Sequence, residues 1–317
     1  MQTALRYLIT RPHQAGSLYA VNGIEPVEFW DFDAGLIPSG VSIGRAAAAF
    51  GYDAAGRLVS YPVDTLRFDA RGVLRTALFE TAATNLLSRA IANSSTGWAL
   101  SGASGSDLAL NALGLFPGIR ITSNGLIWHR LNHIDEPAVT SGMSYHLRAF
   151  FRFGTSGAIL ATLRNMAGAV ESRVKFSVTE ITDMGAGAGP IANASLTALG
   201  VDDVYRLDLN ITPNYSGTLS IGLGPGSATS GATVTLLGAQ FEAGTVGTSF
   251  INSVGSALTR PVDSVTWAAP EGSYDLRIID SSGTATDSLS VSVGAGWAPH
   301  ALPFSPARVL LYPTGTL

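Results

Sequence analysis

The stretch YHLRAFFRF, Tyr145–Phe153, decides the fold class because its side chains alternate with a period of two. Five apolar residues stand at every second position, and the positions between them hold His146, Arg148, Phe150 and Arg152. Successive side chains of a strand point to opposite faces of a sheet. The pattern therefore predicts an antiparallel strand with one face on a core and the other face in water.

Two more segments repeat this alternation. They are YRLDLNI, residues 205–211, and SRVKFSV, residues 172–178. Glycine-rich turns such as GAGAGP, NYSG and GPGSATSG separate the strand-like pieces. Many short strands joined by such turns predict an all-β protein, a jelly-roll β-sandwich.

The composition agrees with this fold class. Charged residues make up 13% of the 317 residues, against about 25% in a typical soluble domain. The 36 glycines favour turns and strands over solvated helices. The net charge of −4 argues against a broad nucleic-acid surface. There is no cysteine, which excludes disulfides and thiolate metal sites.

Neither a signal peptide nor a membrane-spanning run is recognisable in the sequence. We therefore expect synthesis in a bacterial cytoplasm and no membrane insertion. For the organisation of the chain we expect an N-terminal arm or attachment segment at 1–35, the jelly-roll sandwich at 36–263 and a small C-terminal β module at 264–317. Leu78–Ser94 is the best helix candidate.

The segment LLGAQFEAGTVGTSFIN, residues 236–252, changes character halfway along. Residues 234–241 predict the last strand of the sandwich, and the Gly/Ser/Thr-rich part after them predicts an extended excursion across the surface. Phe250 and Ile251 are the residues expected to anchor it by burial.

Three segments, in this order, resemble a known family. They are FDAGLIPSGVSIGRAAAAFGYDAAGRL (32–58), LFETAATNLLSRA (78–90) and LLGAQFEAGTVGTSFINSVGSALTRPVD (236–263). The family is that of carbohydrate-binding-module-like structural and receptor-binding proteins of tailed phages and gene transfer agents. Ala83 stands where the family usually has Arg, which leaves any role of that Arg without a counterpart here.

The resemblance implies a virion component, a tail fibre or a head spike at the particle surface. Its expected partners are host capsular polysaccharide and other virion proteins at the capsid vertex or tail. Because a single shallow site binds weakly, we expect a homo-oligomer, a trimer or a pentamer, in which several sites act together.

The wet face of the predicted sandwich supplies the candidate sugar-binding residues. They are Arg148, Phe150, Arg152, Arg173, Lys175, Arg206, Asp208 and Asn210. Guanidinium groups pair with the carboxylates of acidic sugars, and Trp98 and Trp128 are possible stacking platforms. The alternative, an ordinary solvated face or one covered by a neighbouring domain or subunit, stays open.

Metal and catalytic motifs are weak in this sequence. His129 and His133 in WHRLNH are spaced as zinc ligands on a helix would be, but their flanks predict strand and loop. Asp202 and Asp203 suit a solvated turn, with structural calcium as the alternative. The carboxylates of the sandwich have no paired glycosidase signature. We therefore expect a non-enzymatic protein without a cofactor. The rivals are a capsule-degrading glycosidase or lyase and a purely architectural connector.

Overall fold

The structure, a computed structural model, describes residues 19–93, 96–112, 116–126 and 128–317. Over these residues the regular elements are all strands. The same residues contain no helix long and apolar enough to span a membrane. The described chain forms two compact units. We call them the central unit, Ala55–Val59 and Ala82–Arg260, and the terminal unit, which consists of 19–54, Ser60–Thr81 and Pro261–Leu317.

The central unit is a jelly-roll β-sandwich built from two antiparallel sheets. Its strands are β7 (Ala83–Asn85), β8 (Trp98–Ser101), β9 (Ala103–Ala112), β10 (Phe116–Ser123), β11 (Arg130–His133), β12 (Ala138–Val139), β13 (Tyr145–Phe153), β14 (Ala158–Asn165), β15 (Val170–Ser177), β16 (Ile181–Ala186), β17 (Ile191–Ala198), β18 (Val204–Ile211), β19 (Gly217–Pro225), β20 (Thr233–Ala243) and β21 (Leu258–Arg260).

One sheet has six strands in the order β17-β18-β13-β20-β10-β9. The other has seven, in the order β16-β15-β14-β19-β11-β8 with β12 beside β19. β7 and β21 form a separate pair. The chain crosses between the two large sheets after β8, β10, β12, β13, β16, β18 and β19, so strands that are consecutive in the chain often lie in different sheets.

The apolar side chains that recur at every second position of the sequence form the core of this sandwich. Leu147, Phe151 and Leu209 project from the six-stranded sheet, and Val174 and Phe176 project from the seven-stranded sheet. All five belong to one buried apolar cluster between the sheets. The three segments with alternating side chains are thus confirmed as strands with an apolar inner face.

The predicted surface excursion is also confirmed. β20 ends at Ala243, and the chain then runs back across the outer face of the six-stranded sheet. We call residues 244–253 the strap. Phe250 and Ile251 are buried as expected, and the Phe250 ring packs edge-on against Phe150, with ring centroids 5.7 Å apart. This contact requires Phe150 to point outward, away from the sandwich core.

Buried polar side chains hold the strap in place. Gln240 accepts a hydrogen bond from the Ile251 amide at 2.6 Å, and Glu242 accepts one from the Thr248 amide at 2.9 Å. The Asn210 amide group donates to the Thr245 carbonyl at 2.8 Å. Because buried backbone groups need partners, these bonds allow a segment without regular structure to lie against a sheet.

The terminal unit combines residues from both parts of the chain. Its strands are β1 (Glu28–Asp31), β2 (Val41–Gly44), β3 (Ala49–Tyr52), β4 (Leu58–Tyr61, which enters this unit at Ser60), β5 (Arg67–Asp69), β6 (Thr76–Leu78), β22 (Ser264–Trp267), β23 (Gly272–Ile279), β24 (Ala285–Val293) and β25 (Arg308–Pro313). They form sheets in the orders β1-β25-β23-β24, β4-β3-β5-β6 and β2-β22. Trp30 and Trp267 meet edge-on in its core, with ring centroids 5.1 Å apart.

The predicted domain boundaries differ from these two units. The residues from 36 to 81 that the terminal unit takes up were expected in the sandwich. They pack instead with 261–317, whereas 264–317 was expected to form a separate module. The physical reason is size, since about 54 residues are at the low end for independent folding. β23 and β24 form a hairpin about the turn at Ser281–Gly283. Most of the predicted arm, residues 1–18, lies outside the described residues.

The helix predicted over Leu78–Ser94 is wrong. Over its described residues the backbone groups pair outside the segment, as when the Leu86 amide donates to Phe241 and the Ala92 amide donates to Leu237. The Asn85 side chain also bonds to the backbone of Leu87 and Phe241. Side chains of this kind compete with helical hydrogen bonds, so tertiary pairing overrides local propensity.

A buried ion-pair network lies inside the terminal unit. The Asp263 carboxylate contacts the guanidinium groups of Arg45, at 3.2 Å, and of Arg67. It also accepts the backbone amide of Glu80 at 2.8 Å. Arg67 pairs in addition with Glu80 at 2.7 Å. Burial and the charge of Arg67 lower the pKa of Arg45.

We expect Asp263→Asn to destabilise the terminal unit by about 3–5 kcal/mol, because removing one partner leaves buried charge uncompensated. Chemical denaturation measures the loss. The matched control is Asp287→Asn, which breaks the more exposed pair with Arg277 and should cost less than about 1 kcal/mol. Equal losses in the two variants would contradict the assigned role of the network.

Candidate functional site

The outer face of the seven-stranded sheet is the surface of the central unit best suited to bind a ligand. Strands β11, β19, β14 and β15 run side by side across it. Register places Thr162 opposite Gly222 on one side and opposite Arg173 on the other. Arg164 stands opposite Glu171 in the neighbouring row.

Two glycines of β19 leave room on this face for a side chain from the neighbouring strand. A Cβ at Gly222 would stand 2.6 Å from Cδ of Arg130, and a Cβ at Gly224 would collide with the carbonyl oxygen of His129. Because these two positions lack side chains, the Arg130 side chain can lie across β19. It reaches Glu171, whose carboxylate its Nη2 contacts at 3.0 Å.

A cleft of about 340 Å³ lies on this face. We call it the groove, and its lining residues are Ser101, Trp128, Arg130, Arg164, Glu171 and Arg173. A smaller hollow adjoins it and shares Trp128 and Arg130 with it. Leu160, which lines that hollow, stands opposite Lys175 in the sheet.

Trp128 is the aromatic residue of the groove. It leaves 47% of its surface exposed, more than expected of a tryptophan placed only for packing. An exposed indole beside hydrogen-bonding groups is suited to a ligand with one apolar face and several polar substituents.

Three polar atoms of the groove, the Nε atoms of Arg130, Arg164 and Arg173, lack partners among the described residues. The same holds for the hydroxyl of Thr162, which lies opposite Arg173 in the sheet. Thr162 is 2% exposed, so its hydroxyl is shielded from water as well. A buried donor or acceptor without a partner costs about 1–3 kcal/mol.

The candidate residues of β13 and β18 do not form the wet cationic face expected from the sequence. Asp208 is buried and accepts hydrogen bonds from Arg148 at 2.7 Å and from Arg206 at 2.6 Å. It also contacts Nε2 of His146 at 3.0 Å. Although burial alone would raise it, the hydrogen bond with His146 and the two guanidinium charges hold the pKa of Asp208 well below its usual range.

The strap explains why this face is closed. The Arg148 guanidinium donates to the Thr248 carbonyl. Phe150 is fully buried and cannot stack on a sugar. Asn210 is also buried, with its amide group on the strap. The prediction that these side chains contact a ligand is therefore corrected.

Two further candidates have structural contacts. The Arg152 Nε donates to the carbonyl of Asp202. Trp98 is buried, donates from its indole to the Ile91 carbonyl at 3.1 Å and packs against the His133 ring. It cannot serve as a sugar platform.

The candidate residues thus divide between two surfaces. Arg148, Arg152 and Arg206 lie on the six-stranded sheet, and Arg173 and Lys175 lie on the seven-stranded sheet. The single cationic face predicted from the sequence is wrong. Of the candidate residues, Arg173 and Trp128 line the groove.

Sequence reasoning missed Arg130, Arg164 and Glu171. Arg164 and Glu171 could have been found from the hairpin AILATLRNMAGAVESRVKFS, residues 158–177, because its pairing places these two residues opposite each other. Arg130 was hidden inside the WHRLNH segment, where the two histidines drew attention to zinc. Ser101 carried no signal of its own.

The two histidines use their rings for structure. Nε2 of His129 contacts the Pro225 carbonyl at 2.8 Å. Nδ1 of His133 contacts the Asp135 carbonyl at 2.8 Å, and its Nε2 accepts the Arg89 amide at 3.4 Å. Asp202 and Asp203 occupy an exposed turn in the left-handed region. Among the residues described, no three His, Asp or Glu side chains gather as metal ligands would.

Comparison with known proteins adds two solved structures. Neither a protein-family profile nor a curated protein matches the chain. The CBM22-1 xylan-binding domain of Xyn10C from Paenibacillus barcinonensis is 11% identical, with a TM-score of 0.33 over 53% of this chain and 99% of that domain. An arabinose-bound α-L-arabinofuranosidase, MgGH51, is 15% identical, with a TM-score of 0.32 over 64% of this chain. This chain spans 31% of the arabinofuranosidase.

The strand order and the buried core of the central unit themselves make it a β-sandwich.

We expect His133 to make the central unit less stable in mild acid. Burial lowers the pKa of His133 below its usual 6.5, so the unfolded chain binds the proton more readily. Stability from this residue is complete above pH about 6.5 and falls as the pH drops toward the lowered value. His133→Gln should be less stable at pH 7.5 but lose less stability between pH 7.5 and 5. Urea midpoints measure both.

The matched control is His300→Gln, which removes an exposed histidine and should leave the pH dependence of the wild type unchanged. A pH dependence of His133→Gln that parallels the wild type would contradict the expectation.

Proposed function

We propose that this chain is a non-enzymatic surface protein of a phage-like particle, a head spike or tail fibre, and that it attaches the particle to host polysaccharide through the groove. The observation that carries the binding part is the placement of Trp128. It stands exposed on a sheet face beside a cleft lined by Ser101, Arg130, Arg164, Glu171 and Arg173.

The chemistry of the groove suits a sugar. Sugar rings present C–H groups on a face, which pack on an indole, and hydroxyl groups around the rim. Arg130 and Arg173 donate hydrogen bonds, Glu171 accepts them, and the Ser101 hydroxyl does both.

The position of the groove suits a polymer rather than a single sugar. Its lining residues extend from β8 to β15, five adjacent strands of the sheet. At about 4.8 Å between strands, this distance is roughly 19 Å. Each shallow contact contributes little, so several copies of the chain acting together would supply the avidity.

Binding is favoured over hydrolysis because of the carboxylates. A glycosidase places two carboxyl groups about 5–9 Å apart across the bond that it cleaves. Among the described lining residues of the groove Glu171 is the one carboxylate, and it is paired with Arg130.

The virion role rests on the three ordered segments that resemble phage and gene-transfer-agent proteins. Host capsular polysaccharide is the ligand class that this resemblance suggests, with the capsid vertex or tail as the attachment point and a trimer or pentamer as the assembly. Location on the particle surface is part of the same proposal.

We expect Trp128→Ala to weaken retention of the protein on capsular polysaccharide about tenfold, which corresponds to about 1.4 kcal/mol, because the stacking surface is lost. Affinity electrophoresis through gels that contain the polymer measures retention. The control is Val246→Ala, which trims an exposed apolar side chain from the strap and should change nothing.

Three other outcomes would contradict the proposal. Shortened polymer chains would indicate a depolymerase, and wild-type protein that is retained on no polysaccharide would favour an architectural connector. Full retention of Trp128→Ala would place the binding site elsewhere.

A further inference from the structure

The outer face of the seven-stranded sheet is unusually basic for this protein. It carries Arg130, Arg164, Arg173 and Lys175 against a single acidic side chain, Glu171, among its described residues. The chain as a whole has a net charge of −4. Positive charge is therefore concentrated on the face that holds the groove, where it attracts anions.

Two of these basic side chains, Arg164 and Arg173, have no ion-pair partner among the described residues. Glu171 pairs with Arg130, and these two side chains are 24% and 13% exposed. For Arg164 and Arg173 the described residues supply no ion pair, and their Nε atoms lack an acceptor. This differs from the six-stranded sheet, where Asp208 accepts from both Arg148 and Arg206.

A second observation points to a ligand at the same place. The hydroxyl of Thr162 is buried without a partner. Thr162 lies opposite Arg173 in the sheet. Two unsatisfied guanidinium Nε atoms therefore belong to lining residues of one cleft, and an unsatisfied hydroxyl lies beside one of them in the sheet. A group rich in acceptor oxygens would satisfy the two guanidinium donors.

The ion pair in the groove indicates which group that is. Glu171 already places a carboxylate against Arg130, so the cleft accommodates the shape and charge of a carboxylate. The planar guanidinium fork matches two coplanar oxygens best.

We infer that the groove selects sugars that carry a carboxylate, as uronates do, and that Glu171 is an internal counter-ion which the carboxylates of the ligand replace at Arg130. This inference rests on the proposed function and adds the ligand class and a regulatory residue to it. Arg164 and Arg173 bind the carboxylates, and Trp128 stacks on the ring.

The counter-ion role makes a prediction opposite to that for an ordinary binding residue. Glu171→Gln removes the competing carboxylate and keeps the size of the side chain. We expect its affinity for an acidic polymer to rise three- to tenfold. Arg164→Gln and Arg173→Gln should each lower that affinity at least fivefold.

The probes are polygalacturonate and its fully methyl-esterified form, which share one backbone and differ in free carboxylates. The full-length protein should bind the acid at least tenfold more tightly than the ester, as measured by affinity electrophoresis. In each of the three groove variants the affinity for the acid should change by a larger factor than the affinity for the ester. The matched control is Glu180→Gln, which removes an exposed negative charge next to β16 and should leave both affinities unchanged.

The remaining outcomes separate this inference from the proposed function. Equal binding of acid and ester, or tighter binding of sulfated dextran than of polygalacturonate, overturns the carboxylate class and leaves polysaccharide binding in place. A loss of affinity in Glu171→Gln overturns the counter-ion role. Wild-type protein that binds no acidic, esterified or neutral polymer overturns both. Denaturation midpoints equal to the wild type exclude unfolding as the cause of any loss.

Discussion

Hydrogen bonds from buried side chains to the backbone of the strap are the constraint on which the rest of the central unit depends. Residues 244–253 have no strand partners, yet they lie against a sheet, so their amides and carbonyls need partners from side chains. Gln240, Glu242, Asn210 and Asn85 supply them. Gly247 adds a steric requirement, because a Cβ there would collide with the His146 ring. With the strap in place, one outer face of the sandwich is closed, and the other is left for a ligand.

The segments that resemble a phage family contain residues that meet this constraint or stabilise the terminal unit. Asn85 and Gln240 fix the strap, and Glu80 and Asp263 belong to the ion-pair network of the terminal unit. These residues maintain architecture and do not touch the groove. The resemblance therefore concerns how the chain is built, whereas in the proposed function the groove carries the choice of ligand. On that proposal, a protein could keep these segments and bind another sugar.

The strands and their apolar faces could be predicted from the period of two, since Leu147, Phe151, Val174 and Phe176 all lie in the core. The outer faces could not be predicted. Alternation says that Arg148 and Arg173 point away from a core, but not that they lie on different sheets or that the strap covers one of them. The groove depends on cross-strand neighbours, such as Arg130 lying over Gly222, that are distant in the chain. Local patterns carry no such information.

The pairing of β1 with β25 has a consequence for the order of events during synthesis. Glu28 lies opposite Leu311 in that pair, so β1 leaves the ribosome long before its partner exists. The central unit, in contrast, is complete once Arg260 has emerged. Domains usually fold as their residues become available. The sandwich can therefore form first, while Phe29 and Trp30 of β1 stay unpaired and exposed to chaperones or to neighbouring nascent chains until the last strand arrives.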